Sequence, residues 1–245
     1  MISIFRKIRR KFFSNKVSNY LLYAIGEIIL VMIGILLALQ VNNWNEERKQ
    51  NKELIGVLKT IHNDMVVDTT SASGIIKFYQ ENSKNSIKII NREVTMDNYK
   101  DNVQCFGLVT TYQPFNIQRN GFERLKMISE TNSIKKDSLI NDIITVYSQF
   151  LPLIDKSNER MENEIMSNFN AYKNNEWFVD LFQNNLNDKI VEYFVLSEDY
   201  RKRVVSHNIL AARNHLALTK SYVNNVEKIL ESINHRLTLN ESLLD

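Results

Sequence analysis

Hydrophobic and polar positions divide the chain into one continuous apolar run and several regions of helical periodicity. The run covers residues 21–41, and thirteen of its residues are Leu, Ile or Val. At about 1.5 Å per residue, a helix of this length matches a hydrocarbon core of about 30 Å. The aliphatic residues favour insertion by about 4 to 8 kcal/mol, and Glu27 opposes it by at most about 3 kcal/mol. The run therefore predicts a membrane-spanning helix rather than a core helix, which would keep a polar stripe.

The charges beside the run predict its orientation. The run exceeds the apolar region of a cleaved signal peptide and lacks a small-residue cleavage pattern, so an uncleaved signal anchor fits better. Because an excess of Lys and Arg marks the cytoplasmic side, we expect a cytoplasmic basic tail (1–20), the span (21–41) and an extracytoplasmic part (42–245), periplasmic in a bacterial inner membrane. Six basic residues precede the run and three follow it: Arg6, Lys7, Arg9, Arg10, Lys11 and Lys16, then Arg48, Lys49 and Lys52.

Beyond the run, apolar residues recur at steps of three and four, as on one face of a helix. They predict that the membrane helix continues to about residue 91, and they predict further helices over about 120–130, 136–173 and 198–237, with a short helix within 103–109. The first stripe has Asp68 as its polar intrusion and otherwise contains Leu54, Leu58, Ile61, Met65, Ala72, Ile75 and Tyr79. The last stripe has a 3.5-residue repeat, typical of coiled-coil packing: Val205, Ile209, Ala212, Leu216, Thr219, Val223, Val226, Leu230, Ile233 and Leu237.

Composition supports an all-helical protein. The 245 residues include two prolines and six glycines, so helix breakers are scarce. We expect an all-α fold, in which the transmembrane helix continues into an elongated antiparallel helical bundle with coiled-coil-like packing. The net charge of +3 comes largely from the basic tail, so the remainder is close to neutral, which argues against a nucleic-acid partner for that part. Cys105 is the single cysteine, which excludes an internal disulfide.

Two stretches resemble a known family. The sequence YAIGEIILVMIGILLALQVNNWNEER (residues 23–48), preceded by the basic FRKIRRKF, is similar to the start of a family of uncharacterised bacterial envelope proteins, a domain of unknown function. A second stretch, FERLKMISETNSIKKDSLINDIITVY (residues 122–147), is similar to a later block of that family, although Ser129-Glu130 replaces its usual Ser-Gly turn. The resemblance implies a single-span, helix-rich protein and supplies no activity or catalytic residues.

The sequence offers no catalytic or metal-binding pattern. The four histidines, His62, His207, His215 and His235, do not have the spacing that places two ligands on one helical face. His207 and His215 are eight residues apart, about 80° out of line on an α-helix. No nucleophile elbow, P-loop or dinucleotide fingerprint occurs. We therefore predict no catalytic residues, no cofactor and no metal, and expect a protein that is not an enzyme.

Glu27 is the most unusual residue of the apolar run. Glu27, Val31, Gly34 and Ala38 share one helical face, and Gly34-x-x-x-Ala38 is a small-residue pattern that allows another helix to approach closely. We predict an intramembrane helix–helix interface for a second copy or a partner membrane protein. In the alternative interpretation, the Glu27 carboxylate lies near the headgroups and reaches water.

The aromatic residues between 177 and 194 permit two interpretations. Trp177, Phe178, Phe182, Tyr193 and Phe194 either line a ligand pocket or cap one end of the bundle, and capping is the commoner use. The first functional hypothesis is a single-pass envelope protein that acts in assembly or structure through protein contacts, with the lipid bilayer as a second partner. The alternative is a sensor domain that binds a ligand and signals through a partner membrane protein.

Overall fold

The computed structural model describes residues 15–129 and 137–242. These residues contain seven α-helices and no β-strand, which confirms the all-α prediction. The predicted basic tail lies largely outside the described residues. The chain divides between Ile55 and Gly56 into two compact units. The helices are α1 (Asn15–Ile90), α2 (Asn120–Ile128), α3 (Ser138–Lys173), α4 (Phe178–Phe182), α5 (Asp188–Leu196), α6 (Glu198–Asn208) and α7 (Leu216–Glu241).

Helix α1 ends at Ile90, close to the predicted position. The predicted stripe between Leu58 and Tyr79 is buried in the second unit, so the helical periodicity identified the core face of this helix. Asp68 lies within that face and is fully buried, although a carboxylate is rarely found there without partners.

Helix α3 packs against α7 and starts with a local cap. The Asp137 carboxylate accepts hydrogen bonds from the backbone N–H groups of Leu139 and Ile140. This contact satisfies donors that have no partner inside the helix. Pro152 lies within α3, on an exposed side, and the helix continues to Lys173. The predicted helices over 120–130 and 136–173 are therefore confirmed within two residues of their ends.

A π-helix, Ile209–His215, joins α6 to α7 and changes the predicted stripe. Val205 and Ile209 are exposed, whereas Val204 and His207 are fully buried. A π-helical turn holds more residues than an α-helical turn, so the buried face shifts along the sequence where the π-helix begins. The 3.5-residue repeat is therefore wrong before the π-helix. After it, the buried residues include Leu216, Thr219, Tyr222, Val226, Ile229 and Ile233.

The region between α1 and α2 is less helical than expected. In place of one short helix within 103–109, two 3-10 helices occur, Tyr99–Cys105 and Leu108–Thr110. Gly107 between them has φ +75°, a left-handed conformation that glycine adopts without steric cost. From Thr111 the chain has no regular secondary structure until α2, and we call residues 111–119 the connecting segment. Its side chains Phe115 and Ile117 are buried, so it passes through the core.

Candidate functional site

The described residues before Ile55 expose a long apolar surface on α1. Within α1, the most apolar window of 18 residues has a mean hydropathy of 2.5, and the described chain buries none of it. This part of α1 is long and apolar enough to cross a membrane. Tyr20 and Tyr23 are exposed at its beginning and Trp44 at its end. From Tyr23 to Trp44 the helix rises by about 31 Å at 1.5 Å per residue, so aromatic rings flank the apolar surface at the spacing of two membrane interfaces.

The predicted interface residues Glu27, Val31, Gly34 and Ala38 all lie on the exposed surface of α1. Ala24, Glu27 and Val31 line a shallow groove along it. Apart from Gly34, its two neighbours and the nearby backbone of its own helix, no atom of the described chain lies within 4 Å of a Cβ built at Gly34, so the helix surface is open at this point. The helix–helix interface stays a prediction.

In the second unit, side chains from surrounding helices bind the backbone of the connecting segment. The Tyr79 hydroxyl accepts from the Gln113 backbone N–H and donates to the Gln113 carbonyl, each at 3.0 Å. The Asn158 side chain accepts from the Phe115 N–H at 3.2 Å and donates to the Phe115 carbonyl at 2.7 Å. An extended chain in a core has no ladder partners of its own, so these contacts satisfy groups that would otherwise be costly to bury.

Two carboxylates of α1 hold the end of the connecting segment and the start of α2. Asp68 accepts from the Gln118 N–H at 3.0 Å and from the Tyr222 hydroxyl at 2.6 Å. Asp64 accepts from the Gly121 N–H at 2.7 Å. Helix α2 has no cap from its own N-cap residue, so Asp64 supplies that function from another helix. The negative charge of Asp64 also lies at the positive end of the α2 dipole.

The electrostatic environment of Asp68 is unusual. Burial raises the pKa of Asp68 from 3.8 to about 6, hydrogen bonds from Tyr222 and Gln118 lower it, and the charge of Asp64 raises it. The hydroxyl of Tyr147 is buried and has no hydrogen-bond partner within the described residues. Burial raises the pKa of Tyr147, and the charges of Asp68 and Asp64 raise it further. The cluster therefore combines a buried carboxylate with a hydroxyl to which the described part of the chain offers no hydrogen-bond partner.

Two of the four histidines lie in the core near the other end of the connecting segment. Burial lowers the pKa of both His207 and His215 to about 4, although the backbone of Thr111 acts on His207, and that of Gln113 on His215, in the opposite direction. Within the described residues neither ring nitrogen of His207 has a hydrogen-bond partner of normal geometry. The Nδ1 atom of His215 lies 3.0 Å from the Ser157 hydroxyl. Both imidazoles are neutral at pH 7.

Aromatic residues between 177 and 194 contribute to a cluster of buried hydrophobic side chains. Phe194 is fully buried and stacks on Phe106 with ring centroids 4.7 Å apart. Trp177 is buried beside Tyr172 at 5.6 Å. Phe182 remains 60% exposed and lies outside the cluster, with its ring centroid 4.9 Å from that of Phe178. These contacts are those of core packing, and they favour capping over an open pocket.

The described residues contain no group of three or more His, Cys, Asp or Glu side chains that could hold a metal ion. His62 is half-buried and His235 is exposed, whereas His207 and His215 are buried. Cys105 is buried, and burial raises the pKa of its thiol, which disfavours the reactive thiolate.

One of three comparisons with known proteins matches part of this chain. Residues 27–121 match the family of unknown function DUF6090. The match covers less than half of the 245 residues, and it includes the predicted membrane interface, the buried face of α1 and the connecting segment. It supports the resemblance to a domain of unknown function and ends just before the second similar stretch at 122–147. Searches of curated proteins and of solved structures found no match.

Sequence reasoning missed most of the polar cluster. Asp68 interrupts an apolar stripe, which is the signal that a buried carboxylate leaves in a sequence. Asp64 lies outside that stripe and gave no separate signal. Tyr222, Asn158 and Gly121 gave no local signal, because their partners are between 43 and 154 residues away.

Proposed function

We propose that this protein is a single-pass, membrane-anchored helical protein that acts in the bacterial envelope through protein contacts and without enzymatic activity. The observation that carries the proposal is the exposed apolar surface of α1 between Tyr20 and Trp44. A water-exposed apolar surface of this length is costly, whereas a bilayer accommodates it, and every backbone group of an α-helix is satisfied within the helix.

The basic residues that flank the apolar run support an orientation of the anchor. The excess of Lys and Arg before the apolar run favours a cytoplasmic N-terminus in the inner membrane, with the residues after Trp44 in the periplasm. This orientation makes the helical second unit the part available to envelope partners.

Extraction and reporter fusions test the anchor and its orientation. The full chain should stay with the membrane pellet after alkaline carbonate or high-salt washing. Alkaline phosphatase fused after the last residue should be active, and a fluorescent protein that matures only in the cytoplasm should stay dark there. Recovery of the intact chain in the washed supernatant would contradict the anchor. The opposite reporter pattern would contradict only the orientation.

Self-association through the membrane is the partner contact that the sequence supports best. Gly34 and Ala38 allow close approach, and Glu27 on the same face gains a hydrogen-bond partner when a second helix covers it. We expect Gly34→Leu and Glu27→Leu to weaken association in a membrane two-hybrid assay. Leu30→Ile, an aliphatic exchange, serves as the matched control. Unchanged association in both interface variants would contradict this interface and leave the anchor untouched.

A further inference from the structure

Helix α4 is apolar on two sides, and one of these sides is exposed. Phe178 and Leu181 pack against the cluster of buried hydrophobic side chains. Val179 and Phe182 lie three residues apart, as neighbours on the helix surface, and are 62% and 60% exposed. A helix that is apolar all round is normally buried on every side. The exposed side of α4 therefore lacks the cover that its composition requires within the described part of the chain.

Helix α3 extends this exposed side. The partly buried ring of Phe169 has its centroid 5.5 Å from that of Phe178 and 5.8 Å from that of Phe182. Met166 precedes Phe169 by three residues, so the two are neighbours on α3, and the Met166 side chain is exposed. We call Met166, Phe169, Val179 and Phe182 the outer apolar surface. Exposed apolar side chains that gather in this way are typical of an interaction site.

Carboxylates lie beside the outer apolar surface on both helices. Asp180 lies within α4, and Glu162 precedes Met166 by about one turn of α3. Asp180 also lines a shallow groove with Glu176 and Asp188. The outer apolar surface therefore has an acidic border.

Cations compensate only part of this negative charge. Residues 161–189 contain five carboxylates and two lysines, a net charge of −3 in a chain whose net charge is +3. Lys189 already binds Glu176, with its Nζ 2.7 Å from a carboxylate oxygen. The Asp180 oxygens accept hydrogen bonds from two asparagine amides, at 2.8 and 3.3 Å, and amides carry no charge. Within residues 15–129 and 137–242, no lysine or arginine forms an ion pair with Asp180.

We propose that the outer apolar surface is a docking site for a cationic amphipathic segment of another protein, with apolar side chains on one face and lysine or arginine beside them. The apolar face of this segment covers Val179 and Phe182, and its cations lie beside Asp180 and Glu162. The proposal rests on the protein contacts of the proposed function, for which it names the chemistry of the partner, and it does not depend on the membrane anchor.

The acidic border distinguishes this partner from two other covers. In a twofold contact between copies of the chain, the same patch meets itself, so the carboxylates of the two borders come together. Like charges brought together in this way are unfavourable. An anionic lipid surface repels the same carboxylates. A cationic segment instead gains from both the apolar surface and its border.

Two designed helices test the proposal on the full chain in phosphatidylcholine vesicles. One is a labelled amphipathic helix of leucine and lysine, and the other has glutamate in place of each lysine. After subtraction of binding to protein-free vesicles, we expect the lysine helix to bind about tenfold more tightly, and added salt to reduce the difference. Val179→Ser together with Phe182→Ser should weaken its binding about tenfold, because apolar contact is lost. Met127→Ser, at an exposed position of α2, should bind as the wild type.

Charge reversal separates docking from a folding defect. Asp180→Lys together with Asp188→Lys should invert the preference, so that the glutamate helix binds more tightly than the lysine helix. A folding defect weakens the binding of both helices and inverts nothing. Equal binding of the two helices to the wild type would overturn the proposal. Equal losses in the serine variant and in Met127→Ser would overturn it as well.

A benzophenone side chain in place of Phe182 identifies the cover directly. With the lysine helix present, we expect illumination to crosslink this position to the helix. Crosslinks to a second copy of the chain or to lipid instead would overturn the proposal and identify that cover. The washing and reporter experiments test the anchor separately, so failure here and failure of the anchor are distinguishable.

Discussion

At the scale of single residues, the second unit depends on a few polar side chains that bind backbone groups inside it. Asp68 and Asn158 hold backbone groups of the connecting segment, and Asp64 holds the start of α2. Leaving a buried donor without its partner costs about 1–3 kcal/mol. These residues therefore contribute to stability in a way that their polarity alone would not suggest.

Gly121 is required by close approach rather than by backbone conformation. A Cβ at this position would lie 2.5 Å from Ile61 Cγ1 and 2.7 Å from the Ile61 backbone nitrogen. Gly121→Ala should lower the free energy of unfolding by about 1–3 kcal/mol, because backbone atoms of α1 must move. Urea denaturation measures the change. Gly74→Ala on the open face of α1 is the control and should stabilise by about 0.5–1 kcal/mol. Equal effects of the two substitutions would contradict this role of Gly121.

His207 should make the protein sensitive to acid. Its pKa is about 4 when folded and near 6.5 when unfolded, so its stabilising contribution is present above pH 6.5 and is lost as the pH falls toward 4. His207→Leu should therefore reduce the loss of unfolding free energy across this window by up to about 3 kcal/mol. Thermal or urea unfolding between pH 7 and pH 4.5 measures it. His235→Gln, at an exposed position, should follow the wild type, and an unchanged slope in His207→Leu would refute the assignment.

At the scale of elements, helices of this protein depend on one another for their ends and faces. Helix α2 begins with a cap supplied by α1. The π-helix Ile209–His215 lets His207 and His215 both be buried, although they would point about 80° apart on an uninterrupted α-helix. Local sequence therefore specifies that these helices form, and neighbouring elements adjust where they begin and which face they bury.

The cap of α2 can be removed from a distance. Asp64→Ala leaves the sequence of α2 unchanged and removes the acceptor of the Gly121 N–H. We expect a loss of about 1–2 kcal/mol and faster amide exchange in the first turn of α2. Asp142→Ala, an exposed carboxylate on α3, is the matched control and should change stability by less than about 0.5 kcal/mol. Unchanged exchange at Gly121 in Asp64→Ala would show that the cap is dispensable.

At the scale of the whole molecule, two parts of the chain differ in how their apolar residues are covered. The second unit buries its apolar stripes against its own helices and the connecting segment. The apolar surface between Tyr20 and Trp44 has no cover from the described chain and requires another apolar environment.

Charges introduced into this surface should prevent insertion. Leu30→Arg together with Ile33→Arg should cost about 5–7 kcal/mol near the middle of a span, comparable to the whole gain from the aliphatic residues. We expect the variant to leave the membrane fraction after carbonate washing. Val67→Arg, at an exposed position of the second unit, should leave fractionation unchanged. Retention of the double variant in the pellet would mean that another part of the chain holds it there.

The amino-acid sequence by itself determined the helical class, the apolar helix, the end of α1 and the ends of α2 and α3. These features depend on residue periodicity, on the length of an apolar run and on scarce helix breakers, which are local properties. Only the tertiary structure decided the role of Asp68, the need for Gly121 and the change of buried face at the π-helix. These three features depend on contacts between residues that are far apart in sequence. Hydrogen-bond geometry and steric contact determine them, so a linear pattern of residues does not predict them.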